Sequence, residues 1–248
     1  MRILLLDIET SPHIAYVWSL VNNNYINPDM LVHQGKTLCW AAKWYGEEKV
    51  TYYSVNMTSH RKMIRALHRL LDEADVVIHY NGSKFDIPIL NQEFLLLGLS
   101  PASPVKQIDL LKIVRQKFRF PSNKLSYVSQ KLGIGSKVEH KGFALWEGCM
   151  KGDKESWELM EKYNIQDVLL LETLYDKLKP WIKSHPNVGL HTGVKSVCPN
   201  CGSANLKKRG FAYTSTRKYQ RYVCGDCGTW SRDTHSIKDS SSNIVQAQ

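Results

Sequence analysis

Arg2-Ile3-Leu4-Leu5-Leu6-Asp7-Ile8-Glu9 is the stretch that decides the fold. An unbroken apolar run of this length, bounded by charge, reads as a buried central β-strand. Thr10-Ser11-Pro12 stops it. Residues two apart on a strand share a face, so Asp7 and Glu9 project together from its end. Two carboxylates placed side by side repel. Either both are solvated at the strand end or a cation bridges them.

Working outward, residues 13 to 34 show little periodicity, and Asn22-Asn23-Asn24 reads as a loop. Thr37–Trp44 and 49–55 are rich in aromatic and β-branched residues around Tyr45-Gly46-Glu47-Glu48, which predicts a β-hairpin with Trp40 and Trp44 in its core. Residues 59–73 place Met63, Ile64, Leu67, Leu70 and Leu71 at helical spacing. Val76-Val77-Ile78 reads as a second buried strand, and Asn81-Gly82 as a turn. Helices are expected over 86–97, 109–117, 122–132 and 153–178, with Asp109 capping the second of them. Residues 139–147 read as a loop. This order predicts an α/β domain built on a mixed sheet flanked by helices.

The chain has 248 residues, 43% of them hydrophobic and 10% aromatic, enough for a real core. No apolar run is long enough to cross a bilayer, so no membrane association is expected. The start turns acidic at Asp7 and has no apolar signal region, so a cytoplasmic location is expected. The formal charge of +10 favours polyanionic partners, nucleic acid first. Residues 194–248 hold 9 basic and 3 acidic residues and carry most of that excess. Composition shifts near 186–196. The expected organisation is a catalytic domain over 1–185, a small module over 194–234, and a disordered tail over 235–248 that includes Ser240-Ser241-Ser242.

Two further acids accompany Asp7 and Glu9. Asp86 follows a strand and a Gly turn and opens a helix, which suits either a helix cap or a metal ligand. Tyr163 and Asp167 lie four apart on the long helix and share a face. Asp167 precedes Val168-Leu169-Leu170-Leu171 and borders the buried side, where a Tyr–Asp hydrogen bond or a metal would compensate it. Four acids converging on one sheet edge could not all ionise without cations. Oxygen ligands suit Mg²⁺ or Mn²⁺. Two such ions about 4 Å apart can promote phosphodiester hydrolysis.

The segments Leu5-Leu6-Asp7-Ile8-Glu9-Thr10, Asn81-Gly82-Ser83-Lys84-Phe85-Asp86 and Tyr163-Asn164-Ile165-Gln166-Asp167 resemble, in order, the three exonuclease motifs of the DEDDy branch of the DnaQ-like family. Gln107-Ile108-Asp109-Leu110-Leu111 and Lys131-Leu132-Gly133-Ile134 are similar to the YprB-like exonucleases within it. The resemblance covers roughly residues 1–180. It implies an RNase H-like fold and 3′→5′ exonuclease activity on DNA ahead of RNA, with two Mg²⁺ or Mn²⁺ ions. Asp7, Glu9 and Asp167 would hold the ion that activates water. Asp7 would also bridge to a second ion, supported by Asp86. Tyr163 would orient the attacking water, Phe85 would be a packing residue, and Asn81 would contact the substrate backbone. A bacterial cell or phage-infected host would suit such an enzyme. A structure-selective endonuclease and a non-catalytic nucleic-acid adaptor are the alternatives.

Cys198-Pro199-Asn200-Cys201 and Cys224-Gly225-Asp226-Cys227 form two Cys-x-x-Cys pairs, a strong signal for one structural Zn²⁺. The module resembles a zinc ribbon. Lys207, Lys208, Arg209, Arg217, Lys218 and Arg221 interleave with Phe211, Tyr213, Tyr219 and Tyr222, with Trp230 after them. That mixture suits phosphate contacts and base stacking, or docking to a replication or repair protein. Cys39 and Cys149 stand apart and are expected to be buried thiols.

Overall fold

The computed structural model describes residues 1–21, 25–238 and 240–245. The chain divides into two compact units, Arg2–Leu174 and Met1 with Tyr175–Gln248.

The first unit opens with β1 (Ile3–Thr10), β2 (Ile14–Ala15), β3 (Leu31–His33), β4 (Thr37–Trp44) and β5 (Val50–Ser54). Then come α1 (His60–Glu73), β6 (Val76–His79), α2 (Asp86–Leu96), β7 (Lys106–Asp109), α3 (Leu110–Lys117), α4 (Leu125–Lys131), α5 (Ala144–Met150) and α6 (Lys154–Leu178). Five strands form one mixed sheet in the order β5-β4-β1-β6-β7. The opening strand is central, as its apolar run requires. It pairs antiparallel with β4 and parallel with β6.

Strand alternation sends Leu4, Leu6 and Ile8 to one face. There they pack with Trp40 and Ala42 of β4 and with Met63, Ile64, Leu67 and Leu71 of α1. These are the helical positions the periodicity singles out. Trp40 is fully buried, and its indole N–H donates to Met63 O at 3.0 Å. The opposite face carries Leu5, Asp7 and Glu9 and meets α6, where Lys43 of β4 pairs with Glu172 at 2.5 Å. Cys39 and Cys149 are both buried thiols.

Several elements depart from the sequence expectation. β2 and β3 form a small two-stranded ribbon inside the segment read as irregular, while the Asn22–Asn24 loop falls outside the described residues. β7 is a four-residue edge strand whose buried side chains are Ile108 and Asp109, too short for a clear period. α4 starts at Leu125 rather than near 122, because Tyr80 Oη donates to Asn123 O at 2.6 Å and holds the preceding turn. α5 occupies the expected loop. Its internal Gly148 is explained by the neighbouring Ser156, whose Oγ would lie 2.0 Å from an added Cβ.

The division into units falls inside α6, whereas the sequence places the first domain's end at 185. Within the second unit Tyr175 Oη bonds His185 Nε2 at 2.6 Å, and Asn200 Nδ2 donates to Lys179 O at 2.8 Å. Residues just before 185 are thereby tied to the cysteine module. After α7 (Val188–Thr192), β8 (Leu206–Tyr213), β9 (Lys218–Cys224) and β10 (Trp230–Arg232) form an antiparallel sheet in the order β10-β9-β8. Part of the expected disordered tail is ordered against it. Ile237 N donates to Lys218 O at 2.8 Å and Ser242 N to Thr216 O at 2.9 Å. Residues 239 and 246–248 of that tail lie outside the described residues. Among the described residues no helix is long and apolar enough to cross a membrane.

Candidate active site

The site is assembled from β1, the turn after β6, and α6. Carboxylate oxygens of Asp7, Glu9 and Asp167 lie within 4.8 Å of one another. Asp7 and Glu9 are half-buried, and Asp167 is 3% exposed. Asp86 joins them from a different direction. It is the first residue of α2 and accepts from Ile8 N, between the two β1 acids, at 3.1 Å. It therefore ties α2 to β1 and does not serve as the helix cap, a position taken by Phe85.

The turn that delivers Asp86 is tightly specified. Asn81 has φ 72°, a left-handed conformation that Asn tolerates well. An added Cβ on Gly82 would fall 2.5 Å from His79 Cγ, so glycine is required. Asp109 Oδ1 accepts from Asn81 N at 3.0 Å and from Leu111 N at 3.1 Å, and its Oδ2 accepts from Ser83 Oγ at 2.7 Å. One carboxylate thus caps α3, as expected, and also clamps the turn. Pro88 in the first turn of α2 suits a helix start, where N–H groups are unpaired anyway. Phe85 corrects an expectation: it is 43% exposed rather than packed. With Asp86 turned inward to β1, its neighbour is turned out.

On α6, Tyr163, Asn164 and Asp167 present one face. Asn164 Nδ2 donates to Asp7 Oδ2 at 2.6 Å and fixes the helix against the strand. Lys137, which sequence reasoning missed, forms an ion pair with Asp167 and lies 3.0 Å from Tyr163 Oη. The loop holding it is pinned where Gln166 Nε2 donates to Ser136 O at 3.3 Å. It approaches closely because Gly135 lacks a Cβ, which would meet Leu170 Cδ2 at 2.9 Å. His140 and Trp146 pack edge-on against Tyr163, with ring centroids 4.9 and 5.9 Å away. The Gly-Ile-Gly-Ser run before Lys137 was the available signal for this loop. Nothing in its spacing pointed to Asp167.

The electrostatics are those of an overcrowded acid cluster. Burial, then the charge of Glu9, pushes the Asp7 carboxyl well above its ordinary range. Burial and Asp167 raise Glu9 to about 8. Burial raises Asp86 to about 7 against the opposing Ile8 N–H. Burial raises Asp167 too, with Lys137 pulling the other way. Tyr163 is held above its usual range by burial and by Asp167, so it stays a neutral phenol. Asp167 Oδ1 has no hydrogen-bond partner among the described residues. A single ammonium cannot neutralise four carboxylates. Clustered hard oxygen donors with an orphaned buried oxygen fit divalent cations such as Mg²⁺ or Mn²⁺.

In the second unit the sulfurs of Cys198, Cys201, Cys224 and Cys227 also lie within 4.8 Å of one another. Cys198–Cys227 and Cys201–Cys224 are each 3.6 Å apart. That is too long for a disulfide and close to the ~3.8 Å edge of a tetrahedron with ~2.3 Å metal–sulfur bonds. Gly202 N donates to Cys198 O and Gly228 N to Cys224 O, both at left-handed glycines, giving two matching knuckles. The arrangement is compatible with a zinc ribbon. Lys207, Lys208 and Arg209 lie on β8, Arg217 just before β9, and Lys218 and Arg221 on β9.

Comparison with known proteins follows the same lines. The chain is similar in fold to the family B DNA polymerase from the hyperthermophilic archaeon Pyrobaculum calidifontis, with a TM-score of 0.54 and 20% identity. The similarity covers 72% of this chain and 24% of that one, so the chain spans about a quarter of the polymerase's length. No curated protein matches the sequence. Residues 32–179 match the RNase_H superfamily. That stretch is well over half the chain and contains Asp86, Tyr163 and Asp167, with Asp7 and Glu9 joined to it through the β1–β4 pairing. With its mixed sheet and its acids gathered at the central strand, the chain belongs to the RNase_H superfamily.

Proposed function

We propose that the protein is a 3′→5′ exonuclease of the DEDDy type, acting on nucleic acid with DNA as the preferred substrate. The observation that carries this reading is the convergence of Asp7, Glu9 and Asp167 within 4.8 Å, beside a neutral tyrosine one helical turn away. Similarity in fold to a DNA polymerase supports DNA. When bound, two divalent cations would supply the Lewis acidity that eases attack of water on phosphorus and departure of the 3′ oxygen.

The chain's own residues do the rest. Asp7, Glu9 and Asp167 would hold the ions, with Asp86 supporting them from α2. Asn164 orients Asp7 through its 2.6 Å hydrogen bond. Tyr163 places the water by a hydrogen bond; as a neutral phenol it is not the base. Water's oxygen forms the new bond to phosphorus as its proton passes to solvent, and the bond to the 3′ oxygen breaks as that oxygen takes a proton from solvent. The products are a nucleoside 5′-monophosphate and a chain shortened by one residue. In the second unit the four cysteines would hold a structural Zn²⁺ with every coordination position filled by the protein, leaving the ribbon to engage nucleic acid.

Oligonucleotides labelled at either end, DNA and RNA, incubated with Mg²⁺, Mn²⁺ or EDTA beside Asp7→Ala, test this. Stepwise shortening from the 3′ end that requires metal and Asp7 supports the exonuclease. Discrete internal cuts would favour an endonuclease, and binding without cleavage a non-catalytic adaptor.

A further inference from the structure

We infer that one face of the ribbon sheet, formed by Lys207, Tyr219, Arg221, Trp230 and Arg232, binds single-stranded nucleic acid. This deepens the nuclease reading and rests on it for the choice of polyanion.

Register places these side chains together. Trp230 is opposite Val223, and Arg232 is opposite Arg221. Lys207 is opposite Val223 and Ala212 opposite Tyr219 on the other side. Directly opposed residues share a face, and so do residues two apart. Lys208, Phe211, Tyr213, Lys218 and Tyr222 therefore occupy the reverse face. There Lys218 lies 3.8 Å from the Phe211 ring centre. The sequence alone could not separate the two sets.

On the inferred face the cations and rings interlock. The Arg221 guanidinium lies 4.9 Å over Trp230, and that of Arg232 lies 4.0 Å over Tyr219. Arg221 Nε also donates to Arg209 O at 3.0 Å, which lays the side chain flat across the strands. Trp230 is 54% exposed.

Two arginines directly opposed across neighbouring strands destabilise a sheet. Among the described residues neither they nor Lys207 is ion-paired with a carboxylate. A cationic cluster of this kind, kept rigid by aromatic rings, complements a polyanion. Guanidiniums bind phosphates in a fork. Trp230, more than half exposed, offers a ring surface on which an unpaired base can stack, while half-buried Tyr219 lies under Arg232 and holds that guanidinium in place.

The test uses the full chain carrying Asp7→Ala in chelator-free buffer without Mg²⁺ or Mn²⁺, which separates binding from cleavage and leaves the ribbon's zinc in place, and a fluorescein-labelled single-stranded oligonucleotide read by anisotropy. Trp230→Glu should weaken binding about 10-fold or more, the loss expected of a stacking platform. Tyr213→Glu, the matched change on the reverse face, should alter it less than about twofold. Arg221→Gln with Arg232→Gln should flatten the dependence of log Kd on log salt by about 1.4, at roughly 0.7 per lost phosphate contact on a single strand. Zinc content, measured on each variant, guards against misfolding.

Equal losses from Trp230→Glu and Tyr213→Glu would overturn the assignment, as would an unchanged salt slope. So would preferential binding of phosphatidylglycerol vesicles over the oligonucleotide. Hydrolysis of a thymidine 5′-monophosphate nitrophenyl ester by the unaltered protein reports on the acidic site alone. Its absence would sink the exonuclease reading while the binding result still stood by itself.

Discussion

Asn164 of α6 donates from Nδ2 to Oδ2 of Asp7 on β1, at 2.6 Å, and Asn164 is fully buried. This bond joins the first and last motifs of the site. It also selects the orientation in which Asp7 can face Glu9 and Asp167. Groups that orient metal-binding side chains commonly change affinity or activity by about 10–100-fold when removed. Asn164→Ala should therefore lower nucleotide release by about 10–100-fold, with most of the loss recovered at high Mn²⁺. A loss that Mn²⁺ does not relieve would argue against an orienting role.

Asp7 and Tyr163 should differ in consequence. Asp7 lies among the acids that would hold both ions, and loss of the Lewis acidity they supply removes several kcal/mol, or about 10³-fold in rate. Tyr163 contributes a hydrogen bond from a neutral phenol, so Tyr163→Phe should cost about 10- to 100-fold. Rates of the two variants under saturating Mg²⁺ give the ranking. Equal and near-total losses would contradict it.

The pH dependence has a definite sign. Folded-state values of Asp7, Glu9, Asp86 and Asp167 are all raised, with Asp86 at about 7 and Glu9 at about 8. Unfolded carboxyls titrate near ~4. The folded state therefore binds more protons across this window, and stability is lost as pH rises from about 4 through 8. Thermal melts in chelator-free buffer without Mg²⁺ or Mn²⁺, which leaves the ribbon's zinc in place, should show Tm falling over that range. Mn²⁺ should restore more at pH 8.5 than at pH 5, because it binds the ionised acids. A Glu9→Gln variant should show a shallower fall, and an unchanged slope would remove Glu9 from the explanation.

Lys137 is the cation the site carries for itself. Its ammonium pairs with Asp167 and bonds Tyr163, and these partners hold it above its ordinary range despite burial. Lys137→Met should lower Tm at pH 8 more in chelator-free buffer without divalent cations than in Mn²⁺, where the added ions relieve the same repulsion. Calorimetry in the two buffers distinguishes this from a simple packing defect, which would lower both equally.

For the ribbon, loss of one of four thiolates leaves an incomplete tetrahedron. Metal binding supplies much of the folding free energy in such small modules. Cys201→Ser should reduce zinc from roughly one per chain and abolish slow amide exchange along Lys218–Cys224. Retention of that protection without zinc would show that the sheet stands without metal.

Much of this was legible in the sequence. The apolar run before Asp7 located the central strand, and the spacing of Met63, Ile64, Leu67 and Leu71 located α1, because burial imposes those periods directly. The four acids and Tyr163 stood out as residue types costly near a core, but each alone also suited a solvated end, a cap or a Tyr–Asp hydrogen bond, and only the resemblance to the exonuclease motifs grouped them. What escaped depends on contacts between distant segments. Lys137 reaches Asp167 only because Gly135 lets its loop lie against Leu170. Phe85 faces outward only because Asp86 turns in toward Ile8. β7 and α5 are too short to establish a period, and the two faces of the ribbon separate only once the strand register is known.

The most direct measurement is anomalous scattering from crystals soaked in Mn²⁺. The account predicts a strong peak within about 2.0–2.2 Å of oxygens from Asp7, Glu9 and Asp167, with the Lys137 ammonium displaced from Asp167. No peak at the acids, with Lys137 still paired to Asp167 at saturating Mn²⁺, would contradict it.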